Sequence, residues 1–146
     1  MNKEVIISIR GSQSYADVEN EVIELVTSGT LSHSDAGYSF SYMETELTGL
    51  DGTVTTFQVE KNRITLLRLG EVNSQMVFEE GRKHFSMYET PYGSMTVGVS
   101  ARKVQSSLSD TGGNIELVYA VEIDHAIAGE NIFQINVREA GKSLPQ

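Results

Sequence analysis

Ile115, Leu117, Tyr119, Val121 and Ile123 alternate with Glu116, Val118, Ala120, Glu122 and Asp124 over ten residues. A repeat of two is the side-chain period of a β-strand, and it sets a mostly apolar face against a mostly polar one. A helix would scatter the same apolar residues around its whole circumference. Phe133, Ile135 and Val137 repeat the pattern against Gln134, Asn136 and Arg138, as do Met95, Val97, Val99 and Ala101 against Thr96, Gly98, Ser100 and Arg102. These segments read as half-buried antiparallel strands. Residue choice agrees: Val, Ile, Thr, Tyr and Phe number 46 against 17 Ala and Leu, and branched and aromatic side chains suit a pleated surface.

Turn chemistry separates the runs. Leu50-Asp51-Gly52-Thr53 carries the Asp-Gly hairpin signal, and Thr90-Pro91-Tyr92-Gly93 suits a type I turn. Lys61-Asn62, Glu80-Gly81, Gly112-Gly113-Asn114 and Ala128-Gly129-Glu130-Asn131 read as the remaining hairpin connections. The spacing gives roughly ten strands, as in an all-β sandwich or barrel. One stretch is ambiguous. Val18, Val22 and Leu25 have helical spacing, whereas Ile23, Leu25 and Thr27 alternate as a strand. Strands on both sides favour a strand over Asn20–Leu31. The 146 residues hold no linker or repeat, so 1–146 reads as a single domain, with Gly141–Gln146 as a frayed tail.

The charge balance excludes some partners. Eleven Lys and Arg against twenty Asp and Glu leave a net charge of −9, which opposes nucleic acid and anionic membrane surfaces. Cysteine is absent, removing disulfide scaffolds, zinc fingers and thiol nucleophiles. The apolar run Val5–Ile9 is too short for a signal peptide and ends at Arg10. No segment approaches a membrane helix in length. A soluble, cytoplasmic protein is the expectation.

Catalytic motifs fare poorly. Asp110-Thr111-Gly112 spells the aspartic-protease tripeptide, but that chemistry needs two carboxylates sharing a proton. A second copy is missing, and a turn accounts for the same letters. His33, His84 and His125 lack metal-ligand spacing. Ser32-His33-Ser34-Asp35 contains triad residue types, yet triads assemble from distant segments. Surface histidines are the simpler reading. Glu79-Glu80 and Asp17, Glu19 and Glu21 read as solvated acidic faces. No metal site and no cofactor is indicated.

A polar set inside apolar strands remains. Tyr38, Phe40, Tyr42, Glu44 and Glu46 share one face by parity, and Ile64, Leu66 and Arg68 share another. The strand Ile64–Leu69 is apolar on both faces, so both are expected to be covered and Arg68 enclosed. An enclosed guanidinium needs a carboxylate, from Glu44 or Glu46, or acceptors such as the Tyr42, Tyr88 or Tyr119 hydroxyls. A ligand anchor and a plain surface ion pair both fit.

Ser41-Tyr42-Met43-Glu44, Arg68-Leu69-Gly70, Met76-Val77-Phe78, Tyr88–Gly93 and Gly113–Tyr119 follow one another in order. This succession resembles the YwiB-like family of small uncharacterised β-barrel proteins from Gram-positive bacteria. The resemblance implies a calycin-like (lipocalin-like) antiparallel meander barrel of about eight to ten strands, and no established activity. Its pattern falls on Tyr42, Glu44, Arg68, Gly70, Phe78, Tyr88, Gly93 and Tyr119, and gives them no role.

The leading expectation is a non-enzymatic binding module holding a small amphipathic ligand in the barrel, with Tyr42, Glu44, Arg68, Tyr88 and Tyr119 as candidate ligand-binding residues. The alternative is a filled barrel that acts by protein interaction, with homodimerisation through strand edges. An enzyme ranks third. The acidic composition predicts no DNA or RNA binding at physiological salt; sub-micromolar binding that weakens steeply with added salt in a filter assay would contradict this.

Overall fold

A computed structural model of the protein describes residues 2–15, 18–35, 37–45 and 51–140, with the side chains of 13–15, 18–21 and 127–128 left aside. The described residues form ten strands: β1 (Asn2–Tyr15), β2 (Val18–Ser34), β3 (Gly37–Met43), β4 (Val54–Val59), β5 (Ile64–Leu69), β6 (Asn73–Phe78), β7 (Lys83–Thr90), β8 (Gly93–Ser106), β9 (Gly112–Ile123) and β10 (Ala126–Glu139). Each pairs antiparallel with its sequence neighbour, and β1 pairs with β10, closing the meander into a barrel. The ambiguous stretch is strand: β2 pairs with β1 from Val18 to Ser32, and tertiary pairing overrides the helical spacing. Among the described residues no helix is long and apolar enough to cross a membrane. Glu46, Leu50 and the 141–146 tail lie outside the described residues.

Parity fills the interior in rungs. Leu31, Phe40, Phe57, Leu66 and Met76 oppose one another across β2 to β6 and are all buried. Tyr38, Val59, Ile64 and Phe78 form the next rung. Phe40 stacks on Phe57 with centroids 5.0 Å apart, and Phe78 meets Tyr119 edge-on at 4.7 Å. From the far wall Ile7, Val137, Ile115, Ile135 and Leu117 complete the core. Each fully buried Phe or Leu contributes about 1.5–3 kcal/mol by leaving water. The alternating residues of β8, β9 and β10 thus point where the period of two placed them.

Two hairpins turn elsewhere than the glycines suggested. The β8–β9 connection turns at Asp110-Thr111, flanked by a Ser109–Gly112 bridge, and Gly112 and Gly113 belong to β9. A Cβ on Gly112 would lie 2.0 Å from the Val137 carbonyl oxygen, and φ there is +115°. Those glycines permit close backbone approach rather than a turn. The β9–β10 hairpin turns at Asp124-His125, whose φ values of 50° and 71° are what a type I′ turn requires. Gly129 instead sits at a bulge in β10. The Ile64–Leu69 strand is also less covered than expected, because Leu69 is 63% exposed.

Gly112→Ala is expected to cost about 3 kcal/mol or more, through backbone collision and strain. Gly81→Ala, with φ +80° but open space around the new Cβ, should cost only about 1–2 kcal/mol. Urea unfolding of the two variants checks the contrast; equal losses would mean that conformational strain alone governs both sites.

Candidate functional site

One rung departs from the apolar pattern. Tyr42 on β3, Thr55 on β4, Arg68 on β5, Ser74 on β6, Tyr88 on β7 and Met95 on β8 lie directly opposite one another in register. The rung sits two residues along each strand from the Phe40–Phe57–Leu66–Met76 rung and shares its inward parity. Glu44 follows Tyr42 by the same step, and its backbone N–H donates to the Thr53 carbonyl at 2.8 Å. A row of hydroxyls, one guanidinium and one carboxylate therefore caps a packed apolar interior.

The geometry centres on Glu44 and Arg68. Arg68 Nε lies 3.9 Å from Glu44 Oε2, with side-chain exposures of 18% and 2%. Thr55 Oγ1 donates to the same Oε2 at 2.5 Å, and the Tyr42 hydroxyl hydrogen-bonds Glu44. Burial raises the Tyr42 pKa far above the ordinary phenol value; the Glu44 charge adds to the rise and Arg68 opposes it. Tyr119 faces the set from β9. Burial raises its pKa far above the ordinary value too, with the Arg68 charge and a hydrogen bond to Asn131 working the other way.

Two atoms of this rung stand out. Among the described residues, Arg68 Nε and Ser74 Oγ are buried without a hydrogen-bond partner, and the two residues oppose each other across β5 and β6. A buried unsatisfied polar atom costs about 1–3 kcal/mol. Adjacent positions thus carry two unmet hydrogen-bonding needs.

Of the five residues proposed from sequence, the structure brings Tyr42, Glu44 and Arg68 into direct proximity. Tyr119 reaches them from the opposite wall, and Tyr88 lies one strand beyond Ser74, partly buried against the core. Thr55 and Ser74 went unnoticed in the sequence. Their signal was the step of two back from Phe57 and from Met76, obscured because hydroxyl residues are ordinary in strands.

Other polar groups gather elsewhere. Lys3, Leu31, Ser32, His33, Tyr38 and Asp110 line a cleft of about 250 Å³. There the Tyr38 hydroxyl donates to Asp110 Oδ1 at 3.1 Å, and His33 Nδ1 lies 3.5 Å from that oxygen. Asp110 belongs to a turn, as its motif suggested, and is 73% exposed. A groove of about 880 Å³ is lined both by outward residues of the long strands, such as Arg10, Glu116 and Gln134, and by core-side Leu25, Ile115 and Ile135. Neither recess touches the polar rung. Among the described residues no group of three or more His, Asp or Glu side chains is placed to hold a metal ion.

Comparison with known proteins gives kinship without a role. The family described as Domain of unknown function (DUF1934) matches residues 7–135, and the chain belongs to it. The Uncharacterized beta-barrel protein YwiB of Bacillus subtilis (strain 168) is 25% identical over 107 residues, which cover 73% of this chain and 74% of that protein. The crystal structure of the YwiB protein from Bacillus subtilis matches with a TM-score of 0.85 at 20% identity, covering 95% of this chain and 93% of the other. That likeness establishes the shared barrel fold.

The raised phenols make a pH prediction. Above about pH 10 the unfolded chain releases phenolic protons that folded Tyr42 and Tyr119 retain, so stability falls as pH rises. The expected slope is about 1.4 kcal/mol per pH unit for each tyrosine, with no contribution from either below about pH 9. Denaturation across the alkaline range, beside phenolate absorbance, reads this directly. Full ionisation of all six tyrosines near pH 10 in the folded state would contradict it.

Proposed function

We propose that this member of the DUF1934 family is a non-enzymatic binding module, taking up a compact ligand at the polar end of the barrel. The observation that carries the reading is the adjacent pair of buried, unpartnered atoms, Arg68 Nε and Ser74 Oγ. Arg68 Nε only donates and the Ser74 hydroxyl can donate as well as accept, so one acceptor group meets both, best supplied by a carboxylate or a similar oxyanion. Glu44 acts as the positioning partner of Arg68, held in turn by Thr55 and Tyr42. Tyr88 and Tyr119 supply rings and hydroxyls around the same space.

The proposed mode of use is calycin-like, with a small molecule seated at one end of an antiparallel barrel. The interior amends the expected ligand. The rung beneath the polar one is packed with Phe40, Phe57, Leu66 and Met76, so a long apolar tail has no place beside the anchor. A short ligand whose head meets Arg68 and Ser74 fits better than a fatty acyl chain.

Two variants separate anchoring from folding. Arg68→Met strands a carboxylate that is almost wholly buried and should destabilise by about 3 kcal/mol or more. Ser74→Ala removes a hydroxyl that has no partner among the described residues, so stability should hold or rise by up to about 1 kcal/mol. Both should lose a small mass retained in native mass spectrometry of gently purified protein, or the thermal shift given by a panel of small carboxylates. Wild-type protein that carries no mass and responds to none of the carboxylates would sink the reading, as would retention unaffected by both changes.

A further inference from the structure

We propose that the outer edge of β2, over Val22–Ser28, is a self-association surface that pairs antiparallel with the same edge of a second copy of this chain. β2 runs for 17 residues, and β1 covers one of its edges almost throughout. On its other edge β3 pairs only with Thr30–Ser34. Among the described residues, Val22–Gly29 therefore has a ladder on one side alone. A regular strand with one row of unpaired N–H and C=O groups is a template for another strand.

The side chains on this edge lack the usual protection. Val22 is 48% exposed, Ile23 62% and Val26 65%. Val22–Gly29 contains no Lys and no Pro, two of the devices that keep strand edges apart. Its single charge, Glu24, lies 3.9 Å from Arg10 Nε of β1. On a chain of net charge −9, this strip is locally neutral and apolar.

Self-pairing also satisfies the charges. A two-fold axis through Leu25 sets Val22 against Ser28, Ile23 against Thr27 and Glu24 against Val26 of the copy, with Glu21 against Gly29. No carboxylate then faces a carboxylate, whereas an axis through Glu24 would oppose two. The contact is isologous, as closed dimers require, and it would carry the β8–β9–β10–β1–β2 sheet into the second barrel. The overall acidity of both copies opposes the encounter through long-range repulsion, so added salt should tighten the dimer.

Sedimentation equilibrium over a wide concentration range, at low and high salt, tests the surface. A monomer–dimer equilibrium that tightens with salt is expected. Ile23→Lys or Val26→Lys, both at exposed positions, should weaken it about tenfold or more with circular dichroism unchanged. The chain has no native cysteine, so single cysteines report the register. Leu25→Cys should form a covalent dimer on mild oxidation, while Val22→Cys, which faces Ser28 of the copy, should not. Protein that stays monomeric at every concentration in high salt overturns the proposal and leaves the edge to a strand of another protein. A dimer that tolerates both lysines, or that links through Val22→Cys rather than Leu25→Cys, overturns it as well.

Discussion

Closure of β1 onto β10 is the constraint from which the rest follows. The ladder runs without a register shift from Val5 opposite Glu139 to Ser14 opposite Glu130. A slip of one residue would turn each inward side chain of β1 to solvent. With the register fixed all round, parity decides what the interior contains, and the inward positions of β3 to β6 become rungs. Two of these are apolar and tightly filled. The third places Tyr42, Thr55, Arg68 and Ser74 where hydrophobes would otherwise sit. An Arg–Glu pair at such a position is weak evidence for stability, because desolvation offsets much of the attraction. Its geometry bears this out: Nε and Oε2 are 3.9 Å apart, beyond a hydrogen bond, and Thr55 already donates to that oxygen.

The sequence made this architecture legible where the signal is local and obscured it where the signal is pairwise. Alternation in 115–124 and 133–138 is a property of one segment, and β9 and β10 follow from it directly. Arg68 and Glu44 were also readable, since each is a charge at an apolar parity position in its own strand. Ser74 and Thr55 were not, because their meaning comes from the residues opposite them on neighbouring strands, and that register cannot be seen within one segment. The glycine turns misled for a related reason. Gly112 is glycine because the Val137 carbonyl comes within 2.0 Å of where a Cβ would be, a contact between strands 25 positions apart in the chain. The turns themselves fell to Asp110-Thr111 and Asp124-His125, where Asp and His tolerate the positive φ that the second of these demands.

A filled barrel and a binding barrel are alternatives in the sequence; under the proposed reading they describe different levels of one structure. Stacked Phe40 and Phe57 fill the level below the polar rung, and the rung itself is lined by groups that hydrogen-bond. On the proposed reading, this division favours a compact polar ligand over one with a long apolar tail. It also confines the cost of buried polar groups to one end, where Arg68 keeps 18% of its side chain in contact with solvent.

The bare edge of β2 begins where β3 leaves it, beside the polar end of the barrel. β2 and β3 run together from Ser34 and Gly37 as far as Thr30 and Ser41 and then part. Gly29 marks the parting: a Cβ there would lie 2.3 Å from the Ser41 carbonyl oxygen and 2.6 Å from Ile7 Cδ1. Beyond it, β3 carries Tyr42 into the polar rung with Glu44 just past its end, while β2 continues along β1 for Val18–Ser28 without β3 beside it. Because β3 leaves β2, Ile23 and Val26 stand in water, while Tyr42 meets Thr55 across the other edge of β3, as Phe40 meets Phe57. A longer β3 that stayed on β2 would cover the edge, and its register would carry Tyr42 opposite Gly29.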